Sequence, residues 1–255
     1  MTTKYEILDR AAEHIANETR SLQREREAFE TFRESISRAQ AATGDGGTRT
    51  GNLLETYKNT VMSTTDFDMV YGEPVSESLE AEFAPSLADA LKENEPVTQQ
   101  FKRNLLVATT AAIESRTRFI RALEAECESV QTVRETVLDI KDTLQKLPAC
   151  TLRCLQFEQF VDVWEACEEA VKQCDRRSEQ RQRHIAERQT TDHRANSGTH
   201  ALNTYLYNDL ETLFPALSAL AETRHRIEQY RGRANGPASH SSDCNRDGGL
   251  ESSSN

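Results

Sequence analysis

The cysteines and histidines are the side chains best able to do chemistry in this chain, because they ligate metals and act as nucleophiles. Cys150 and Cys154 stand four residues apart and share one face if both are helical. Tetrahedral zinc takes four ligands, however, and no second pair has a suitable spacing. Cys167 and Cys174 fall where apolar residues are expected, and cysteine there behaves as a small hydrophobic residue. The spacing therefore favours inert thiols over a zinc site.

Carboxylate–histidine pairs are the second kind of candidate site. Di-iron bundles use Glu-x-x-His motifs on two different helices, and this chain has one such motif, Glu222-Thr-Arg-His225. On a helix whose Leu220 and Ile227 face inward, both residues point away from the core. The sequence also has no Gly-x-Ser-x-Gly motif and no phosphate-binding loop. We therefore expect no catalytic residue, no metal, no cofactor and no enzymatic activity.

A basic stripe is the strongest charged feature. Arg177, Arg181, His184 and Arg188 follow a four-three-four spacing and form one helical face. Such a stripe can follow the phosphates of a nucleic acid. Acidic residues interrupt it, and no aromatic residue is interleaved to stack on bases. It can therefore be a solvated face, a face paired with the Glu-rich first helix, or the binding surface of a nucleic-acid-associated regulator.

Apolar periodicity predicts the long helices that would position these groups. Apolar residues recur every seven positions in the first helix, which we predict over residues 1–42; they are Leu8, Ile15, Leu22, Phe29 and Ile36. A strict seven-residue repeat is typical of a coiled-coil seam. Four glycines between Thr43 and Gly51 end this helix.

A second long helix is predicted over residues 97–147, with Pro96 at its start. It carries two heptad lines, and Glu126 is the polar residue among them. A single polar seam residue commonly sets register or pairing. Replacing Glu126 with Leu is therefore expected to raise stability and to alter the oligomeric state.

Two further helices complete the predicted core. The helix over residues 149–195 folds back antiparallel after Pro148 and frays at its carboxyl end, and a helix over residues 199–231 is kinked by Pro215. The seam of the first of these carries Phe157, Trp164 and Val171 on one line and Phe160, Cys167 and Cys174 on the other. Residues 232–255 are rich in Gly, Ser, Asn and Asp and are predicted to be a disordered tail.

Residues 43–96 differ from the rest and predict a small irregular helical cap, with a break at Pro85. Aromatic and Met side chains concentrate here, and such residues are enriched at binding patches. The candidate interaction surface consists of Tyr57, Met62, Phe67, Met69, Tyr71 and Phe83. The alternative is that these side chains close the end of the bundle.

The amino-acid composition indicates the cellular environment in which the protein works. Hydrophobic residues make up 36% of the 255 residues, and the formal net charge is -11. Basic residues are mostly arginine, 24 Arg to 7 Lys. An acidic, lysine-poor surface suits a salt-rich cytoplasm, where repulsion is screened; codon bias in a GC-rich genome is the alternative. We see neither a secretory signal nor a transmembrane segment, so we expect a cytoplasmic protein with free thiols.

These patterns predict one all-α domain over about residues 3–231. It is expected to be an elongated antiparallel bundle of coiled-coil-like helices with an irregular cap. The leading functional hypothesis is a non-catalytic scaffold or protein-interaction module. Its partner is an unidentified protein or a second copy of the chain. The alternative is the nucleic-acid-associated regulator that uses Arg177, Arg181 and Arg188.

Several short motifs resemble a family of uncharacterised proteins from halophilic archaea. They are Asn59-Thr-Val-Met62 after Tyr57, Tyr71-Gly-Glu-Pro74, Glu82-Phe83, Leu87-Ala88, Tyr205-Leu-Tyr207 and Pro215-Ala-Leu217. The resemblance covers residues 5–231 and implies a helical domain of unknown function from a haloarchaeal source. It implies no activity and no catalytic residue. Glutamate is usual in the family where this chain has Asn59.

Overall fold

The computed structural model describes residues 4–42, 47–64, 75–147, 156–192 and 199–235. Across these ranges the chain forms eight α-helices and no strand, and its fold is all-α as predicted. The helices are α1 (Lys4–Arg38), α2 (Thr50–Thr60), α3 (Val75–Glu82), α4 (Pro85–Lys92), α5 (Gln99–Lys146), α6 (Phe157–Asp192), α7 (Thr199–Tyr207) and α8 (Pro215–Asn235).

The backbone of the molecule is an antiparallel pair formed by α1 and α5. Arg134 of α5 bonds Asp9 near the start of α1, whereas Lys102 at the start of α5 donates to the carbonyls of Ser37 and Ala39 at the end of α1. The 48 residues of α5 extend about 72 Å at the usual helical rise. The heptad line of α1 faces this partner, because Leu8, Ile15, Leu22, Phe29 and Ile36 are all buried. The predicted seam is confirmed.

Helices α6, α7 and α8 cover the half of this pair that contains the amino end of α1. Leu123 and Val130 of α5 share a core there with Leu8 and Ile15 of α1 and Leu220 of α8. A second cluster joins α5, α6 and α8 and contains Ile140, Val163, Cys167, Ala170, Cys174 and Ile227. This half of the molecule is therefore a four-helix bundle of α1, α5, α6 and α8, with the short α7 packed against it.

Helices α2, α3 and α4 cover the other half. Tyr57 and Phe83 pack edge-on, with ring centroids 5.7 Å apart, and both contact the ring of Phe32 on α1. The Tyr57 hydroxyl shares a 2.8 Å hydrogen bond with the Ser78 hydroxyl, and burial raises the pKa of Tyr57 to about 12. The predicted cap is thus an aromatic-centred core between short helices and the long pair.

Arg116 of α5 ties the cap to the long pair. Its guanidinium donates to both oxygens of Glu82 on α3, at 2.6 and 3.0 Å, and to Glu25 on α1 at 2.9 Å. The same group lies 4.3 Å from the centre of the Phe29 ring. Burial raises the pKa of Glu25, whereas Arg116 lowers it. One side chain therefore holds three helices together through partly buried charge.

Two proline predictions are wrong in detail. Pro96 does not start α5; Thr98 caps it, with its hydroxyl accepting from the Phe101 amide at 3.1 Å, and Pro96 instead forms a lone antiparallel bridge with Arg49. Pro215 does not kink a continuous helix, because α7 ends at Tyr207 and Pro215 begins α8. Proline lacks the amide that a helix interior requires, so it suits a first turn. Pro85 likewise begins α4, and the predicted break there is confirmed.

The orientation of α6 also differs from the prediction. Phe157 is 80% exposed, and the inward face carries Val163, Cys167, Ala170 and Cys174. Trp164 and Val171 are only partly buried, so the first predicted line is not the seam, whereas Cys167 and Cys174 of the second line are buried as predicted. The small residues face α5 and α8 instead, at the positions where α6 packs closely against these two helices. Residues 148–155 and 193–198, and the predicted tail beyond residue 235, lie outside the described residues; residues 232–235 belong to α8.

None of the helices in the described ranges combines the length and apolar character needed to cross a membrane.

Replacing Arg116 with Met should destabilise the fold by about 2–3 kcal/mol, because it leaves two partly buried carboxylates without their cation. Loss of Arg116 raises the Glu25 pKa further. An acid whose folded-state pKa is raised loses stability as the pH rises through that value. The deficit should therefore be larger at about pH 7 than at about pH 5, as measured by urea unfolding.

Arg134→Met is the matched control. Arg134 also pairs one long helix with the other, but its side chain is 43% exposed, so its loss should cost less than about 1 kcal/mol. Equal losses for the two variants would contradict the role assigned to Arg116.

Candidate functional site

A buried charged network lies where α5, α6 and α7 meet. Arg181 of α6 binds both carboxylate oxygens of Glu126 on α5, at 2.5 and 2.8 Å. The two side chains are 1% and 0% exposed. The Tyr207 hydroxyl at the end of α7 donates to the same carboxylate at 2.6 Å, and Arg181 also donates to the Ser129 hydroxyl at 3.0 Å. Four side chains from three helices therefore share one hydrogen-bonded cluster.

Both charged residues stand on heptad lines that are otherwise apolar. Glu126 is seven residues before Val133 on α5. Arg181 is seven residues after Cys174 on α6. Because both lines face the same interior, the acid of one helix meets the base of the other. The two-pronged geometry neutralises a charge that would otherwise be costly to remove from water.

A cleft of about 320 Å³ opens over this network and is here called the α5–α6 cleft. Its walls are formed by Ala125, Glu128, Ser129, Thr132 and Val133 of α5 and by Arg177, Gln180, Arg181 and His184 of α6. The α5 wall includes small side chains, which leave space where longer apolar residues would fill the seam. The α6 wall is polar along its length. The cleft is therefore a built polar recess rather than a packing defect in an apolar core.

His184 and Arg177 differ in how their polar atoms are used. Nε2 of His184 is buried, lies 3.7 Å from a Glu126 oxygen, and has no hydrogen-bond partner in the described part of the chain. A buried polar atom left in that state costs about 1–3 kcal/mol. Arg177 donates from Nε to the Thr136 hydroxyl at 3.1 Å and from Nη1 to Gln180 at 2.8 Å. The cleft thus retains hydrogen-bonding capacity that its own residues leave unused.

The side chains of this site are already engaged with one another. The Ser129 hydroxyl accepts from a guanidinium, which cannot take its proton. The Glu126 carboxylate is held by Arg181 and Tyr207. Neither group is arranged as a nucleophile beside a base. The arrangement can hold a ligand by hydrogen bonds and charge.

The predicted basic stripe is wrong as a solvent-facing surface. Arg181 is buried and paired with Glu126 of α5, so it can neither follow a phosphate backbone nor pair with the first helix. Arg177 and His184 line the α5–α6 cleft. The side chain of Arg188 lies outside the described residues. The four-three-four spacing identified a real helical face, and its described members Arg177, Arg181 and His184 are turned towards α5.

The predicted interaction surface is also corrected where the structure describes it. Tyr57 is fully buried and Phe83 is 3% exposed, so neither can contact a partner. Met62 is partly buried against the same core. Phe67, Met69 and Tyr71 lie outside the described residues. Tyr57 and Phe83 instead close the capped end of the bundle, because burying aromatic area stabilises the fold more than exposing it.

The other sequence candidates are dispersed. Glu222 pairs with Arg226 at 3.2 Å, and His225 lies 2.9 Å from Gln229, both on α8. Cys167 and Cys174 are buried, and burial raises the pKa of both thiols, that of Cys174 to about 11. Cys150 and Cys154 lie outside the described residues. Within the described ranges, no three Cys, His, Asp or Glu side chains are grouped to hold a metal ion.

Comparisons with known proteins give one positive finding. A family model described as "Domain of unknown function (DUF7260)" matches residues 6–231. No curated protein matches the chain, and no solved structure matches it. The matched range includes the α5–α6 cleft, the buried network beneath it and the cap.

The buried pair corrects the expectation that Glu126→Leu stabilises the protein. That change leaves the buried Arg181 without its counter-ion. Breaking a buried pair in this way should lower the free energy of unfolding by about 3–5 kcal/mol. Arg181→Met should be similarly harmful, because it strands Glu126. The double variant removes both charges and should recover most of the loss, since apolar replacements of buried pairs are often neutral or better.

Urea unfolding of the four proteins gives the coupling energy directly. Tyr207→Phe provides a milder reference, because it removes one donor and leaves the ion pair intact. A double variant as unstable as the sum of the two single changes would show that the two side chains act independently, against the geometry described.

Proposed function

The chain belongs to the DUF7260 family, whose function is unknown, and we propose that it is a non-catalytic helical scaffold. Its binding partner is a protein or a second copy of the chain. The observation that carries this proposal is the long α1–α5 pair, which supports a separate core at each end. A stiff rod of this kind suits holding partners at a fixed spacing.

The deepest polar groups are consistent with a role in architecture. Glu126, Arg181 and Tyr207 bond one another and fix the relative positions of α5, α6 and α7. Buried polar groups of this kind can specify register at some cost in stability. We therefore assign partner binding to exposed residues of the scaffold.

Phe157 is the surface residue we assign to partner contact. It is 80% exposed at the start of α6. Behind it, Phe160 and Trp164 stack with ring centroids 6.2 Å apart, and the Arg231 guanidinium covers the Trp164 ring at 4.0 Å. Aromatic residues and arginine are enriched at protein interfaces. This aromatic end of α6 takes the place of the interaction surface predicted from residues 57–83.

We further propose that the protein works in the salt-rich cytoplasm of a halophilic archaeon. The net charge of -11 and the excess of Arg over Lys support this. At about 1 M ionic strength the screening length is roughly 3 Å, so an acidic surface repels itself little.

Affinity capture of the tagged chain from a lysate kept in molar salt, with and without nuclease, tests the scaffold proposal. We expect a stoichiometric protein, or a dimer by light scattering, that survives nuclease. Phe157→Ser should weaken that association at least about tenfold, the effect typical of a central aromatic contact.

Val107→Ser is the matched control for this experiment, because Val107 is 71% exposed on α5, away from Phe157. It should leave the association intact. A monomer that captures no protein would overturn the scaffold proposal, and capture lost on nuclease treatment would favour nucleic acid. Equal binding by both variants would remove Phe157 from the interface.

Salt should stabilise the protein if the cellular environment is as proposed. Raising KCl from about 0.1 M to about 1 M screens repulsion among the acidic residues and should raise the thermal midpoint. Circular dichroism at constant pH measures the change. A midpoint that stays constant or falls with KCl would contradict adaptation to high salt.

A further inference from the structure

The α5–α6 cleft contains two polar groups that its internal bonds do not use fully. Nη2 of Arg177 makes no hydrogen bond within the described residues, since the bonds of this guanidinium use Nε and Nη1. The Ser129 hydroxyl accepts from Arg181 and so keeps its own proton for donation. Nε2 of His184 is shielded from water and lies 3.7 Å from a Glu126 oxygen, so it is turned away from the open recess. All three residues line the same recess.

The charge of the recess comes from Arg177. Arg181 is neutralised by Glu126, whereas no carboxylate of the described residues lies within ion-pair distance of the Arg177 guanidinium. Neighbouring basic residues differ, because Arg176 pairs with Glu169 at 2.6 Å and Arg224 with Asp175 at 3.2 Å. In a chain with net charge -11, a guanidinium without a paired carboxylate, beside a hydroxyl that can donate, is unusual and favours an anionic ligand.

We propose that the α5–α6 cleft binds a small oxyanion, namely a carboxylate or phosphate group on a small molecule. Arg177 supplies the charge and a donor from Nη2. Ser129 donates its hydroxyl proton. Hydrogen bonds between a guanidinium and an oxyanion are among the stronger ones in proteins.

The size and depth of the recess fit a small ligand. A volume of about 320 Å³ is at the lower end for small-molecule sites. The floor is fixed by the Glu126–Arg181 pair, so the donors are held in place before the ligand arrives. Prearranged donors reduce the ordering cost of binding. Glu128 at the edge of the recess is exposed and disfavours highly charged anions.

This proposal is independent of the scaffold proposal. Anion binding uses residues of the α5–α6 cleft, whereas partner contact is assigned to Phe157 at the start of α6. Either can fail without the other, because the two readouts, ligand affinity and partner capture, are measured separately.

Isothermal titration of the full-length chain with inorganic phosphate and with acetate tests the proposal, with chloride keeping the ionic strength constant. We expect saturable binding of at least one anion and a thermal midpoint that rises with its concentration. Arg177→Gln should weaken binding about ten- to a hundredfold, as expected for loss of a charge-assisted contact. Ser129→Ala should weaken it to a lesser degree.

Arg176→Gln is the matched control, since it makes the same charge change one residue away, outside the cleft. It should bind as the wild type does. Equal loss in Arg176→Gln and Arg177→Gln would mean a general charge effect and would overturn the site.

Absence of saturable binding by the folded wild type, checked by circular dichroism, would also overturn it. So would Arg177-dependent binding of a single-stranded oligonucleotide without binding of phosphate or acetate. If Arg177→Gln fails to fold, Ser129→Ala serves as the second variant, and unchanged affinity in it would overturn the site.

Discussion

The bidentate ion pair between Glu126 and Arg181 is the constraint on which the arrangement of the bundle depends. A charge at the centre of a helical seam is tolerated only if an oppositely charged side chain lies at the matching position of the facing helix. Sliding α6 along α5 by one turn would move the guanidinium about 5.4 Å and strand both groups. The pair therefore fixes the register of α6, and the Tyr207 hydroxyl extends that constraint to α7.

The long helices could be predicted because their chemistry is repetitive. Leu8, Ile15, Leu22, Phe29 and Ile36 repeat at the period of a seam, and the structure buries them all. Ordinary helix signals also located the cap helices and the break at Pro85. The few residues around Pro148 in the sequence predicted that α6 packs beside α5, and the two helices share a buried ion pair. A periodic pattern identifies the apolar face of a helix. For α1 and α5, the face predicted to be apolar is the face that the structure buries.

The candidate site was harder to predict, because the role of its residues depends on which helix packs against them. The stripe from Arg177 to Arg188 has the same spacing whether it meets water, phosphate or a carboxylate on α5. Extending the line of Cys167 and Cys174 by seven residues reaches Arg181, so a signal for its burial was present. Tyr57 and Phe83 likewise belong to a residue class that serves both interfaces and cores. In α6, small residues rather than aromatic ones face α5 and α8, because closely packed helices leave room only for small side chains between them.

The antiparallel pairing of α1 with α5 has a consequence for synthesis of the protein. Asp9 and Arg134 meet although 125 residues separate them, and the cap lies between the two helices in the chain. During translation α1 leaves the ribosome with its apolar face uncovered until most of α5 has followed. Folding of this half must therefore wait for a long loop to close, which slows it and prolongs exposure of the apolar face. The many charges of α1 oppose aggregation of such a nascent chain during that interval.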